Sequence, residues 1–172
     1  FKIKAFPLIL GENDGQKMRR GDKKTPEGTY WVMDMFPGKV MGKIYGSLIF
    51  PLNYPNKRDR AKGKTGSGIW IHGAEPGNLM EPTRGCIKLA NIYLLELLHF
   101  IELPTPIIIQ SESDKTIDFS MSELNWIEEE YYEIKNNIRG HSRRLGLFYS
   151  KQKLREIGEN YPKFSKSRSN SR

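Results

Sequence analysis

Apolar and polar residues alternate in short bursts over the first part of this chain, then switch to helical spacing. Residues 2 to 10, KIKAFPLIL, mix β-branched and aromatic residues in partial alternation, and a Gly/Asn/Asp cluster at 11 to 15 closes them off, predicting a strand and turn. Residues 28 to 35, GTYWVMDM, predict a second strand. It follows Thr25, Pro26, Glu27 and Gly28, where proline presets one turn dihedral and glycine frees another. Residues 46 to 50 and 67 to 72 predict two more strands. Between them, Asn53, Tyr54, Pro55 and Asn56 followed by KRDRAKGK at 57 to 64 read as a long exposed loop or lid.

Residues 91 to 102 carry Ile92, Leu94, Leu95, Leu97, Leu98, Phe100 and Ile101, a wide apolar arc that predicts a core helix ended by Pro104. A short apolar strand is expected at 106 to 110. Ser120 and Glu123 form a capping-box pattern ahead of Leu124, Ile127, Tyr131, Ile134 and Ile138, spaced by three and four, which predicts an amphipathic helix broken by Gly140. Residues 151 to 159 suggest a third, weaker helix. No internal repeat is visible. The pattern divides into a strand-rich body over residues 1 to 111, a helical appendage over 112 to 162 and a basic tail over 163 to 172.

Composition narrows the class. A chain of 172 residues suits one globular domain with attachments. The net charge is +8, yet residues 141 to 172 hold nine Lys or Arg against two Glu, so the body is close to neutral. The final stretch is too polar to offset its ordering entropy and is expected to be disordered. Such a tail suits nucleic acid, anionic lipid or an acidic wall polymer, but a solvated end is the simpler reading, and the near-neutral body argues against a nucleic-acid binder. The longest apolar run, 92 to 101, is interrupted by Glu96 and His99 and falls short of the roughly 18 residues a membrane span needs. The chain begins at Phe1 inside an apolar pattern, as it would if a leader had been removed. One cysteine excludes an internal disulfide framework, and one cysteine with three scattered histidines forms no metal-ligand set. No cofactor is required.

The chemistry concentrates in GIWIHGAEPGNLMEPTRGCIKLAN, residues 68 to 91, which holds Cys86, the only cysteine, and His72. A strand ending at His72, a loop with Pro76, Gly77 and Pro82, and a return to the sheet would bring the two together. A free thiol has a pKa of about 8.5 and is mostly protonated at neutral pH; an adjacent imidazole takes the proton and stabilises the thiolate. Gly85 leaves room beside the thiol, so the N–H groups of Gly85 and Cys86 are candidate oxyanion donors. The competing reading makes Cys86 a small buried hydrophobe and His72 a hydrogen-bonded strand end. His99 and His141 are assigned to structure.

Two ordered blocks resemble the L,D-transpeptidase catalytic domain, the YkuD domain. Ile71, His72 and Gly73 followed by Thr83, Arg84, Gly85, Cys86, Ile87 and Lys88 are similar to its I-H-G and S/T-x-G-C-I/V-R/N elements. Gly21, Asp22, Thr25, Pro26, Gly28 and Tyr30 are similar to its upstream G-D-x-x-T-P-x-G-x-Y segment. The likeness covers about residues 1 to 111.

That resemblance implies a mostly β, sandwich-like catalytic fold with a core helix and a C-terminal helical appendage, in a periplasmic or wall-facing cysteine enzyme. Cys86 would be the nucleophile and His72 the base, with the Gly73 carbonyl orienting the imidazole. The substrate would be the peptidoglycan stem tetrapeptide, attacked through a Cys thioester to give 3-3 cross-links. L,D-carboxypeptidase, wall-lipoprotein-releasing amidase and non-catalytic wall-binding readings stay open. The candidate substrate-binding set is Trp70, Thr83, Arg84 and Lys88. Arg84 stands where many members carry His and would depress the thiol pKa; Lys88 stands where Arg is frequent and would hold a carboxylate without the bidentate fork. Tyr30 and Trp31 are read as core before groove. The helix with Trp126, Tyr131 and Tyr132 would pack on the body, on a further domain or on a wall-associated protein partner.

Overall fold

The structure is a computed structural model and describes residues 4–110 and 121–145. The capping-box serine at 120, the helix expected at 151 to 159 and the basic tail lie outside the described residues.

Two sheets form the body. In the smaller, β1 (Gly28–Val32) pairs antiparallel with β6 (Thr105–Ile109), from Gly28 opposite Ile109 to Val32 opposite Thr105. The larger contains β2 (Phe36–Pro37), β3 (Leu48–Pro51), β4 (Trp70–Ala74) and β5 (Ile87–Ala90) in that order. Its first two pairings are antiparallel, whereas β4 and β5 run parallel. Parallel neighbours need a crossover of about a dozen residues, and residues 75 to 86 supply it.

Side chains alternate across a strand, and this sheet uses the alternation fully. Leu48 and Phe50 of β3, Ile71 of β4, and Ile87 and Leu89 of β5 turn to one face and join Val32 and Leu94 in the buried core. Leu94 belongs to α2 (Asn91–Leu97), which follows β5 without a loop and is fully buried at that residue. Removing a leucine of this kind from water is worth about 1.5–3 kcal/mol. His72 and Lys88 therefore lie on the opposite face of the same strands.

The fold is mostly β with few helices, as the pattern implied, but several elements differ. Among residues 4 to 10, only Ile9 pairs, exchanging both backbone hydrogen bonds with Lys88 at 2.8 Å. Pro7 lacks a donor, and Leu8 and Leu10 are exposed, so no continuous ladder forms there. The strand expected from residue 67 starts at Trp70, behind Gly66 and Gly68 with φ of +108° and +71°. The core helix is α-helical only to Leu97, beyond which the amides of His99 and Phe100 bond three residues back.

The expected lid is a packed segment. It contains α1 (Lys57–Ala61), whose capping box joins Asn56 and Asp59, and the buried Lys64 ammonium meets Asp59 at 2.8 Å. Finally, α3 (Met121–Leu145) continues through Gly140. A single helical glycine costs only about 1 kcal/mol, too little to end a long helix by itself.

α3 packs on the body, on α1 and β1. The Trp31 indole N–H donates to Glu130 at 2.8 Å, Arg58 lies 3.7 Å from the Trp126 ring centroid, and Lys57 meets Glu133 at 2.6 Å. Tyr30 and Trp31 are both 1% exposed, which makes them core residues and not groove lining.

Candidate active site

Register brings the two reactive side chains to one face. Ile71 pairs with Ile87 and His72 with Lys88, so the residue before β5, Cys86, falls beside Trp70 at the start of β4. Cys86 thus shares the outer face with Trp70, His72 and Lys88, on neighbouring strands, while the odd-numbered partners fill the core. The thiol is half-buried, with its sulfur 3.5 Å from the Gly68 carbonyl. Burial pushes its pKa up, against the Trp70 backbone N–H and the positive charge of Lys17, which both favour the thiolate.

His72 is fixed by its own strand. Its Nδ1 lies 2.7 Å from the Gly73 carbonyl oxygen. A carbonyl only accepts, so Nδ1 carries the hydrogen and Nε2 keeps its lone pair. Burial lowers the imidazole pKa, Lys88 lowers it further and the Gly73 bond opposes both. Burial thus favours the neutral ring. Gly73 is needed here for space: a Cβ would come 2.1 Å from Asn91 Oδ1. That amide oxygen is already accepting the Ser47 N–H at 2.8 Å.

An aromatic wall flanks the imidazole. Tyr45 meets His72 edge-on at 5.1 Å between centroids and Trp70 at 5.2 Å, and Phe36 meets Trp70 at 6.3 Å. Trp70 was identified from the sequence; Tyr45 was not, because it arrives from a Gly-flanked turn with no periodic signal.

The turn before Cys86 is held by Thr83. Its hydroxyl donates to the Cys86 carbonyl at 2.6 Å and accepts the Gly85 N–H at 3.0 Å, while its backbone bonds Leu10 and Glu12 at 2.9 Å. Thr83 is consequently engaged within the turn. The Gly85 N–H, expected to face an oxyanion, is committed to Thr83 in this state. Gly85 has φ +126°, and a Cβ there would sit 2.6 Å from the Lys24 carbonyl, so only glycine fits.

Arg84 is exposed, and the cation that acts on the sulfur is Lys17. Lys17 is 3% exposed and its ammonium meets Asp22 at 2.5 Å. Asp22 also accepts the N–H groups of Met18 and Arg19 at 2.9 Å and of Lys24 at 3.2 Å. Burial opposes ionisation of this carboxyl, but those donors hold it well below the usual carboxylate range. The Gly21 to Gly28 block therefore builds a rigid turn behind Gly85 and Cys86. Lys88, expected to hold a carboxylate, is buried and donates to the carbonyls of Asn78 and Glu81. Among the described residues, no group of three or more His, Cys, Asp or Glu is placed to hold a metal, and no helix is long and apolar enough to cross a membrane.

A two-sheet body with a thiol and a neutral imidazole on one strand face agrees with the family its sequence matches. Residues 2–109 match the L,D-transpeptidase catalytic domain, YkuD, and the chain belongs to that family. Among solved structures it is similar to the helical cell shape determining protein Pgp2 from Campylobacter jejuni. The identity is 35% over 59% of this chain and 36% of that one, with a TM-score of 0.53. A mutant structure of the same protein gives 31% identity over 68% and 41%, with a TM-score of 0.58. Bd1075 from Bdellovibrio bacteriovorus is 29% identical over 85% of this chain and 47% of its own, with a TM-score of 0.55. The chain thus spans 36% to 47% of the lengths of these proteins. No curated protein sequence matches it.

Proposed function

We propose that this protein is a peptidoglycan-modifying cysteine enzyme that opens the L,D-peptide bond of stem tetrapeptides through a thioester on Cys86. The observation that carries the reading is the His72 ring, oriented by the Gly73 carbonyl so that Nε2 is left to accept a proton, on the strand face that also bears Cys86.

The Cys86 proton passes to His72 Nε2 as the sulfur bonds to the carbonyl carbon of the third stem residue. The tetrahedral oxyanion then collapses, the C–N bond breaks, and the imidazolium returns its proton to the departing D-Ala amine. A thioester remains. An acceptor amine from a second stem, giving up its proton to His72, attacks that thioester and forms the 3-3 cross-link; water in its place yields the trimmed stem. Either route restores the thiol. With the thiol pKa raised and the imidazole pKa lowered, the resting pair is neutral, and proton transfer accompanies attack. Trp70 and Tyr45 offer the aromatic wall of the donor groove, and the Cys86 N–H is the remaining oxyanion candidate of the expected pair.

Similarity to two structures, one of them named for helical cell shape determination, supports a wall-facing, periplasmic role in shaping the cell. Incubation with purified disaccharide tetrapeptide followed by mass spectrometry tests the activity. Loss of D-Ala alone marks a carboxypeptidase, and a dimer lacking one D-Ala marks a transpeptidase. An unchanged substrate, together with Cys86 alkylation unaffected by His72→Ala, would sink the enzyme reading and leave a wall-binding module.

A further inference from the structure

Lys88 projects a buried cation from the strand face that carries Cys86 and His72, and among the described residues no carboxylate neutralises it by direct contact. It is 5% exposed, stands opposite His72 in the β4–β5 register, and places its ammonium against the backbone carbonyls of Asn78 and Glu81. Those carbonyls bracket a turn in the crossover, beginning with the 3-10 segment Pro76–Asn78. Inside the turn, the Asn78 and Leu79 amides bond back to Glu75 and Pro76 at 3.0 and 3.5 Å, and Met80 projects 79% exposed. With so few internal bonds and so little burial, the turn depends on an outside anchor. Charge-assisted bonds from a buried ammonium are strong enough to be one.

We infer that Lys88 is a positioning residue: its ammonium fastens the 78 to 81 turn to the strand face beside His72 and so fixes one wall of the substrate groove. The inference rests on the proposed function for the word substrate, but the fastening itself is a property of the fold. It also reassigns the side chain. An ammonium spent on two carbonyls of its own chain is not standing ready for a carboxylate on a ligand, and a purely ligand-binding lysine would be solvated when the groove is empty.

The groups facing His72 and Lys88 on this side are the Tyr45 phenol, the Cys86 thiol and the Glu81 carboxylate, which favours the charged form of Lys88. Removing the Lys88 charge therefore raises the His72 titration midpoint, whereas Lys88→Arg keeps it.

The test uses the full chain and its Lys88→Met and Lys88→Arg variants. Hydrogen exchange at residues 76 to 82 is expected to accelerate about tenfold in Lys88→Met, with β4 and β5 unchanged, and to be largely restored in Lys88→Arg. On disaccharide tetrapeptide, KM rises about tenfold in Lys88→Met, more than kcat falls. A KM increase without faster exchange in the turn would make Lys88 a direct ligand and overturn the inference; so would unchanged exchange with unchanged KM. If Lys88→Met does not fold, Lys88→Gln gives the same reading. The exchange arm needs no turnover, so an inactive wild type would defeat the enzyme proposal while leaving the fastening to be judged on its own.

Discussion

The strand face bearing Cys86 and His72 and the surface where α3 docks are built by different means. On the first, position comes from backbone register, a one-residue carbonyl contact and glycines that only glycine can replace. On the second, it comes from the ends of long side chains: Trp31 on Glu130, Arg58 on Trp126, Lys57 on Glu133. Backbone register tolerates no half measures, since a one-residue slip would send His72 into the core. Side-chain docking is graded and can be weakened stepwise. The strand face should respond to substitution in an all-or-none way, and the helix surface by degrees.

The largest effect is expected at the thiol itself. Cys86→Ala should lower turnover of tetrapeptide by about a thousandfold or more while the thermal melting curve stays near wild type, which separates chemistry from folding. Gly73→Ala tests the steric claim, because its methyl would meet Asn91 Oδ1 at 2.1 Å. A loss of about 3 kcal/mol in denaturant unfolding is expected, with activity lost alongside. A neutral outcome would show that β4 is softer than the register argument allows.

Asp22→Asn should cost about 3 kcal/mol at pH 7, since it leaves the buried Lys17 ammonium without its counter-charge. The sign of the pH dependence follows from the lowered folded pKa of Asp22. Its stabilisation is complete above the unfolded value of about 3.9 and is lost as pH falls toward the folded one, so the variant and wild type should converge in acid. Urea titrations at pH 7 and pH 3 would show it.

Smaller changes are expected on the α3 side. Glu130→Ala leaves the buried Trp31 N–H unpaired and should cost about 1–2 kcal/mol, without altering the alkylation rate of Cys86. Glu130→Gln keeps an acceptor and removes a carboxylate whose pKa burial has raised, so it should be neutral or mildly stabilising. Smallest of all, Lys57→Ala should change stability by less than about 1 kcal/mol, because that ion pair is largely exposed. If that exposed pair proved worth more than the Glu130 contact, the graded picture of the docking surface would be wrong.

How far this was legible in the chain depended on whether distance was encoded locally. His72 and Cys86 stood out because each sits beside a glycine in one short window, and the strand–loop–strand spacing predicted a return to the same sheet, where register sets both on one face. Lys17 and Tyr45 did not, for nothing in composition distinguishes a buried lysine from a solvated one, or a ring brought in by a Gly-flanked turn from any other. Thr83 was visible as a motif position, yet its engagement by Gly85 and Cys86 is a property of the folded turn. Pattern alone also overrated residues 4 to 10, where Pro7 leaves a gap in the ladder, and underrated 53 to 64, where Asp59 and Lys64 are buried as a pair. The expected stop at Gly140 failed because one weak residue does not outweigh a long helix.

The same-direction run of β4 and β5 has a further consequence. A segment that leaves the top of one strand must travel back to the bottom of its neighbour, and it does so outside the ladder, so its length and composition are decoupled from the pair of rungs it joins. Gly77, with nothing within 4 Å of the place its side chain would occupy, lies at the open end of that excursion. The excursion can therefore be lengthened or redecorated there while the sulfur and the ring keep their places.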